Sequence, residues 1–461
     1  MQVIYRRCCG IDLHKEMIIA CVLICTTQGV QKEIQKFSTM LQDLYRLRDW
    51  LKAKQCEVVA MESTGVYWKP IWNVLEGEME LLLVNAQHIK AVPGRKTDIK
   101  DAEWIADLLQ HGLLRPSFIP PRPQRELRDL TRYRSSLVEE RSRLVNRLQK
   151  VLEDANIKLS SVATNILGKS GRAILDALLA GEEDPEVLAS LARGRMRKKH
   201  AQLIEAVQGT LTAHHRFVLQ SQLHHIDFLD RQLAELDQEV ARRLEVPPLP
   251  EEIAEAPEDD PDPSSGQSTL QESPQELSPL AGPPSQPTCC PPSPPASPAQ
   301  VIRLLDAIPG INQRIAEIIV AEIGTQVDRF PTAAHLCSWA GLCPAAKISA
   351  GKRLSSKTGK GNRWLRQAMN QAAQAAARCK KSFLGAAYQR WKTRMGGKKA
   401  VVALAHRILL IVYHLLKEQQ PYRELGPGHL EEKALESSKR WAVRRLEQLG
   451  YQVTLQSAEV A

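Results

Sequence analysis

Between Pro247 and Pro298 the chain holds 16 of its 28 prolines, with Ser, Gly, Gln and acidic residues between them. Proline fixes φ and has no N–H to donate, so neither a helix nor a sheet ladder can continue through such a stretch. The segment reads as a disordered or polyproline-like linker that splits the 461 residues in two. Two roles stay open for it: a plain spacer, or a proline motif read by a partner.

The linker also skews the charge. From Leu244 to Ile302 there is no Lys or Arg but there are ten Asp and Glu, so the net +10 of the whole chain conceals +20 on the remainder. That surplus favours a polyanionic partner, nucleic acid or an anionic membrane surface. Membrane is the weaker option, because the most apolar run, Val401 to Leu416, is interrupted by His406, Arg407 and His414 and reads as a core helix. The first ten residues lack the pattern of a secretory signal, and a cytoplasmic location is expected. Ten cysteines without a repeated C-x-x-C spacing argue against structural zinc and for reduced, packed thiols.

Before the linker, Cys8–Asp12 and Met17–Cys25 are apolar runs joined by a polar turn, and Val30–Phe37 can add a third strand. Leu41–Leu51 has helical spacing, Glu57–Met61 reads as a buried strand, Val66–Leu75 as a helix and Leu81–Val84 as a strand. Thr97–Leu109 is a further amphipathic helix. Three early strands followed by alternating helix and strand predict an α/β sheet of mixed strand direction. Arg125–Asp154 and Ala201–Leu244 are long, charged and periodic in Leu, the pattern of a helical hairpin or coiled coil.

Asp12 ends the first apolar strand and Glu62 a central one, while Asp98 and Asp101 stand i, i+3 on one side of a helix. If the sheet brings both strand ends beside that helix, four carboxylates converge. Hard oxygen ligands of this kind hold Mg²⁺ or Mn²⁺, and such ions stabilise the attacking and leaving oxygens of a phosphodiester. A single carboxylate at a strand end is more often a cap or turn residue; the joint pattern is what points to chemistry.

The segments Gly10-Ile11-Asp12-Leu13-His14-Lys15, Met61-Glu62-Ser63-Thr64-Gly65-Val66-Tyr67 and Lys96-Thr97-Asp98-Ile99-Lys100-Asp101-Ala102 resemble, in this order and at these separations, the DEDD insertion-sequence transposases of the IS110 group. The resemblance implies an α/β ribonuclease H-like (RuvC-like) N-terminal domain whose metal-binding carboxylates are Asp12, Glu62, Asp98 and Asp101. Beyond the linker, Ser338-Trp339-Ala340-Gly341-Leu342-Cys343-Pro344 and Gly359-Lys360-Gly361-Asn362-Arg363-Trp364-Leu365-Arg366 resemble the C-terminal transposase domain of the same group. Leu304–Gly324, with Ile308-Pro309-Gly310-Ile311 between two apolar halves, looks like a helix-hairpin-helix able to offer N–H groups to a phosphate, or a plain turn between core helices.

In that group a serine between the two C-terminal motifs is the nucleophile, which by position is Ser349. The family usually has Gly directly after it; here Ala350 intervenes, so Ser355 and Ser356 stay open as substitutes. A serine hydroxyl needs a base, cation or metal nearby to become reactive, and Lys347, Lys352, Arg353 and the carboxylate-bound metal are candidates.

Charge supports a polyanion independently of any family. Arg329–Lys417 has 18 Lys and Arg and no acid, whereas a merely solvated face mixes signs. Lys352, Arg353, Lys357, Lys360, Arg363 and Arg366 are candidate nucleic-acid contacts there, with Trp364, Phe383, Tyr388 and Trp391 expected mainly in the core. Arg115–Lys150 forms a second basic strip in which Arg125, Arg128 and Arg132 share a helix face, for phosphate contact or as a solvated coiled-coil surface. Ala163-x-x-x-x-Gly168-Lys169-Ser170 imitates a nucleotide phosphate loop, but no strand precedes it and no ATP is expected.

The expected organisation is a RuvC-like catalytic domain (1–115), a helical coiled-coil region (116–246), the Pro-rich linker (247–299), a mainly α C-terminal transposase domain (300–420) and a tail (421–461). The resemblance implies a transposase that joins serine to a DNA phosphate with Mg²⁺ (or Mn²⁺) assistance, acts as a homo-oligomer and is guided by a structured RNA encoded by the element. The alternatives are a metal-dependent Holliday-junction-type nuclease and a nucleic-acid-binding protein without catalysis.

Overall fold

The computed structural model describes residues 2–27, 29–63, 65–85, 98–246, 297–344, 347–349, 352–355 and 357–454; within these, the side chains of 98–100, 347–349, 352–355, 430–434, 436 and 437 lie outside the description. The Pro-rich segment 247–296 and Ser356 lie outside it altogether. The chain forms two compact units, Met1–Pro121 and Arg122–Ala461.

The first unit is built on a five-stranded sheet in the order β3-β2-β1-β4-β5, from β1 (Arg7–Leu13), β2 (Met17–Thr26), β3 (Gly29–Ser38), β4 (Val58–Glu62) and β5 (Glu80–Val84). β1, β2 and β3 are antiparallel neighbours, whereas β4 and β5 run parallel to β1. This is the mixed sheet the sequence predicts. β1 and β4 are buried on both faces, which is why they read as unbroken apolar runs rather than alternating ones. β3 is the edge, and its Lys32, Glu33, Lys36 pattern discourages further strand pairing.

The residue alternation of β1 and β4 separates two cores. Cys9, Ile11, Val59 and Met61 pack with α1 (Leu41–Ala53) and α2 (Trp68–Leu75) on one face. Cys8, Val58 and Ala60 face Ala102, Ile105, Ala106 and Leu109 of α3 (Asp98–Gln110) on the other.

The second unit starts with α4 (Arg122–Asp154), which lies antiparallel to α9 (Ala213–Leu244): Glu126 pairs with Arg243 at 3.0 Å, Arg134 with Asp237 at 2.9 Å and Asp154 with His215 at 3.1 Å. Between them come α5 (Leu159–Val162), α6 (Lys169–Ala180), α7 (Pro185–Ser190) and α8 (His200–Val207), which close a helical core over the far end of the pair. The continuous helix expected over Ala201–Leu244 is broken. Gly209 passes so close to the end of α4 that a Cβ would sit 2.4 Å from the Ala155 carbonyl oxygen, Thr210 N donates to that oxygen at 2.9 Å, and Thr212 with His215 forms a capping box that restarts the helix. The phosphate-loop imitation falls between α5 and α6 with Gly168 as a helix cap, so the strand it would need is absent.

After the linker come α10 (Pro298–Asp306), α11 (Gln313–Ile323), α12 (Ala333–Trp339), the two-stranded β6 (Lys347–Ser349) and β7 (Lys352–Ser355), then α13 (Arg363–Arg378), α14 (Phe383–Met395), α15 (Gly397–Glu418) and α16 (His429–Gln448). Leu127, Val240 and Leu244 share one core with Val301, Ile319, Leu365 and Leu409. The Pro-rich segment therefore leaves one packed body and returns to it, and the compact units divide at Pro121 instead of at the prolines. The turn between α10 and α11 serves packing: Gly310, at φ +90°, lies where a Cβ would be 2.3 Å from Ala372 O of α13, and the Ile308 and Ile311 N–H groups donate to Leu305 O and Ile308 O at 3.0 and 2.9 Å. Neither amide is left for a phosphate. α15 is long and apolar enough to span a membrane, yet half of its most apolar window is buried, with Leu404, Ala405, Ile408 and Leu409 fully inside.

Candidate active site

The parallel register aligns Cys8 with Val58 and Ile11 with Met61, so the next residues, Asp12 and Glu62, stand side by side where β1 and β4 end. Both follow the alternation of Cys8, Gly10 and of Val58, Ala60, on the sheet face that carries α3. The helix lies directly on β1 because residue 10 has no side chain: a Cβ there would come within 2.3 Å of Ala106 N and 2.4 Å of Ala102 O. α3 runs antiparallel to β1, with Ile4 N bonded to Gln110 O at its far end, which puts its first turn over the Asp12 end of the strand.

Asp12 is only 7% exposed, and Glu62 and Asp101 are half-buried. Burial pushes the Asp12 carboxyl above the usual carboxylate range; His14 pulls it down, and the nearby charge of Asp101 pushes it up. Its oxygens are oriented by Leu13 N at 3.0 Å and by His14 Nε2 at 3.1 Å. Asp12 and Glu62 thus stand at the same end of the sheet, where β1 and β4 finish, with Asp101 near Asp12. The Asp98 side chain lies outside the described residues, and among those described no three His, Cys, Asp or Glu side chains close into a metal-holding group. His14 is the site residue that sequence reasoning passed over; its signal is its place two residues beyond Asp12 in the turn, where His14 N donates to Met17 O at 3.0 Å.

Ser349 belongs to the second unit, at the end of β6, paired in register with Lys352 of β7. The side chains of Ser349, Lys352, Arg353 and Ser355 lie outside the described residues. The base of the hairpin explains the glycines of both C-terminal motifs. A Cβ on Gly361 would lie 2.2 Å from Gly341 N, so the two segments can only touch with glycine at both places. Asn362 N donates to Trp339 O at 3.0 Å, Gly359 N to Cys343 O at 3.3 Å, and a bridge pairs Pro344 with Thr358 just before the strands.

The basic strips are sorted by burial. Lys357 and Lys360 are exposed beside the hairpin; Arg363 is exposed, stacks on Trp364 at 5.2 Å and reaches Glu139 at 3.3 Å; Arg366 is half-buried. Phe383 is buried and Tyr388 and Trp391 pack against the core, as their size predicts. Arg128 and Arg132 depart from the expected phosphate-contact role. Arg128 is 8% exposed, burial draws its guanidinium down to about 10, and it donates to Ala321 O at 3.0 Å. Arg132 grips both oxygens of buried Glu322, at 2.7 and 2.8 Å. Both arginines hold α4 to α11, and half-buried Arg125 is the remaining member of that helix face.

An IS110-type DEDD model described as Transposase matches residues 9–157, and the Transposase IS116/IS110/IS902 family model matches residues 302–389. The chain belongs to the IS110 family of transposases. The first match takes in Asp12, Glu62, Asp98 and Asp101, and the second takes in Ser349 and both glycine motifs. An "Insertion element IS110 uncharacterized 43.6 kDa protein" of Streptomyces coelicolor is 30% identical over 133 residues, 28% of this chain and 32% of the relative, so the match spans about a third of that relative's length. Two solved structures are also similar: Thermus thermophilus RuvC, at 14% identity and TM-score 0.20, and T. thermophilus RuvC in complex with Holliday junction substrate, at 13% and 0.19; each alignment covers 24% of this chain and 99% of the other.

Proposed function

We propose that this IS110-family chain is a transposase that cleaves and rejoins DNA, with a carboxylate site in its first unit and a serine nucleophile in its second. The observation that supports the reading is that Asp12 and Glu62 stand where the parallel neighbours β1 and β4 end, with Asp101 near Asp12 and α3 brought onto β1 by its close contact with Gly10. By type the donors suit a hard divalent cation, since all are carboxylate oxygens and buried Asp12 stands near the charge of Asp101. Asp12, Glu62, Asp98 and Asp101 would hold Mg²⁺ or Mn²⁺, which when bound stabilises negative charge on phosphate and leaving oxygen.

The protein's own part is to orient. Leu13 N and His14 Nε2 fix the rotation of the Asp12 carboxylate, and the Gly341–Gly361 contact fixes the base of the hairpin carrying Ser349. Ser349 Oγ attacks a DNA phosphate, forming a P–O bond to serine as the bond to a deoxyribose oxygen breaks, and the released oxygen leaves as a free hydroxyl. Reversal of that step with a second hydroxyl rejoins the strand. Lys357, Lys360, Arg363 and Arg366 lie on the same basic segment to receive the backbone. A structured RNA encoded by the element is the proposed guide, as the family resemblance implies, and the basic segment 329–417 offers a surface for its phosphates. Homo-oligomerisation through the long helices is part of the same reading, with one protomer's serine meeting another's carboxylates.

The test is a denaturing gel of purified protein with Mg²⁺, labelled element-junction DNA and RNA transcribed from the flanking ends. A covalent protein–DNA adduct formed by wild type and lost in both Ser349→Ala and Asp12→Ala supports the reading. Metal-dependent cutting without an adduct would replace it by a nuclease in which water attacks, and DNA binding without cutting by a binding-only protein. Activity regained on mixing the two variants supports the shared site.

A further inference from the structure

We propose that Glu322 is a positioning residue for the serine hairpin, acting through Asn362; the functional half of this rests on the Ser349 reading above. Glu322 is fully buried near the end of α11, within an otherwise apolar run. A lone carboxylate there would be strongly disfavoured, and an apolar residue would pack as well. Instead it has directional partners on two other elements. Arg132 of α4 grips Oε1 and Oε2, Arg128 Nε stands 3.5 Å from Oε2, and Asn362 Nδ2 donates to Oε2 at 2.7 Å.

Asn362 is committed on every side. Its Oδ1 accepts from Trp364 N and Leu365 N at 3.0 Å each, capping α13, and its own N–H donates to Trp339 O at 3.0 Å, the end of α12. The next residue back, Gly361, is the one locked against Gly341. Beyond that contact Pro344 and Thr358 form a bridge, and β6 and β7 follow within a few residues in the sequence. One unbroken chain of contacts therefore leads from the arginines of the long helix, through the Glu322 carboxylate and the Asn362 amide, to the base of the hairpin. The two arginines neutralise Glu322, while the amide bond is the part that transmits position.

Substitutions in the full-length protein can separate these parts. Glu322→Gln keeps the volume but replaces one of the two acceptor oxygens by an NH2 donor, so that Asn362 and the arginines compete for the single oxygen that remains. Asn362→Asp keeps the helix cap but loses the donor. The double variant exchanges the two groups, restoring the bond with reversed polarity, keeping a carboxylate near the arginines and the cap on α13. Hydrogen exchange read by mass spectrometry on peptides covering 347–355 is expected to accelerate by about tenfold in each single variant, the scale of one charge-assisted hydrogen bond, and to recover in the double variant. Peptides from α6 and α8, whose side chains belong to a separate core, should stay within about twofold, because distant sites act independently.

With junction DNA, guide RNA and Mg²⁺, the rate of adduct formation should follow the exchange data, falling about tenfold in the single variants by the same bond energy, while DNA affinity stays at wild-type level. Unchanged exchange at 347–355, or faster exchange spread equally over α6 and α8, would overturn the proposal, as would a double variant no better than the singles. The nucleophile is judged separately: an adduct that survives in Ser349→Ala removes that assignment, whereas the exchange result at 347–355 does not depend on it.

Discussion

Gly10 and Ala106 meet backbone to backbone, so closely that a methyl group on residue 10 would lie 2.3 Å from the Ala106 nitrogen. The approach sets the distance between β1 and α3, and through it the distance between Asp12 and the first turn of the helix. Neither backbone can yield without lifting the helix. Gly10→Ala is expected to lower stability by about 1–3 kcal/mol, the usual result of overpacking, and to raise the Mg²⁺ concentration needed for cleavage. Urea denaturation and a metal titration of cleavage check the two effects; wild-type behaviour in both would show that the contact does not position the site.

Asp12 is buried next to another acid, an arrangement that disfavours its charge in the folded state. Asp12→Asn keeps the shape and the bond from Leu13 N while removing that charge. Cleavage should fall by at least about 100-fold, the scale of losing one charge-stabilising group in an active site, while the thermal midpoint holds or rises. A drop in midpoint that parallels the loss of activity would make Asp12 a structural residue.

The carboxylates were legible because Asp12 and Glu62 each end an apolar run, and strand ends converge whenever the strands are parallel neighbours. The glycine motifs were visible as motifs, but the reason for them, Gly361 against Gly341, needs a contact between segments 20 residues apart. Arg128 and Arg132 misled for a definite reason: spacing tells which face of a helix a residue occupies, not whether that face meets solvent or protein. Glu322 had no signal at all, since its partners lie 40 and 190 positions away. The break in the second long helix was equally hidden, as Gly209 is required by the passing end of α4 and not by its own neighbours.

Four of the five thiols of the first unit, those of Cys8, Cys9, Cys21 and Cys56, should be inert. Burial pushes Cys8, Cys21 and Cys56 up to about 12 and Cys9 well above its ordinary value, so at pH 8 almost none is thiolate. Cys379 is exposed. Iodoacetamide labelling of the native protein, mapped by peptide mass, is expected to modify Cys379 and to spare these four until denaturant is added. Raising the pH from 7 to 9 should leave them unlabelled, and native labelling of Cys9 would contradict the sheet packing.

Arg134 is 3% exposed and joins Asp237 and Glu317 at 2.9 and 2.6 Å, tying α4 to both α9 and α11. Arg134→Met leaves two carboxylates in the interior with one fewer cation, a loss of about 3–5 kcal/mol by the behaviour of broken buried pairs. Replacing all three residues by apolar ones of similar volume should recover most of it. Chemical denaturation of the single and triple variants decides the matter, and a single variant as stable as wild type would mean that water reaches the carboxylates.

The Pro-rich segment connects two parts of one core, with Val240 and Leu244 on its near side and Val301 and Ile302 on its far side. Both of its flanks thus belong to the unit that carries the serine, and the boundary with the carboxylate unit falls at Pro121. Closing a loop costs entropy only logarithmically in its length, so replacing the 50 residues 247–296 by roughly 20 of Gly and Ser should stabilise the protein by about 0.8 kcal/mol. Adduct formation should be unchanged. If the shortened protein keeps its thermal midpoint but loses activity, the segment is read by a partner, and the nine acids among its prolines are the place to look for the contact.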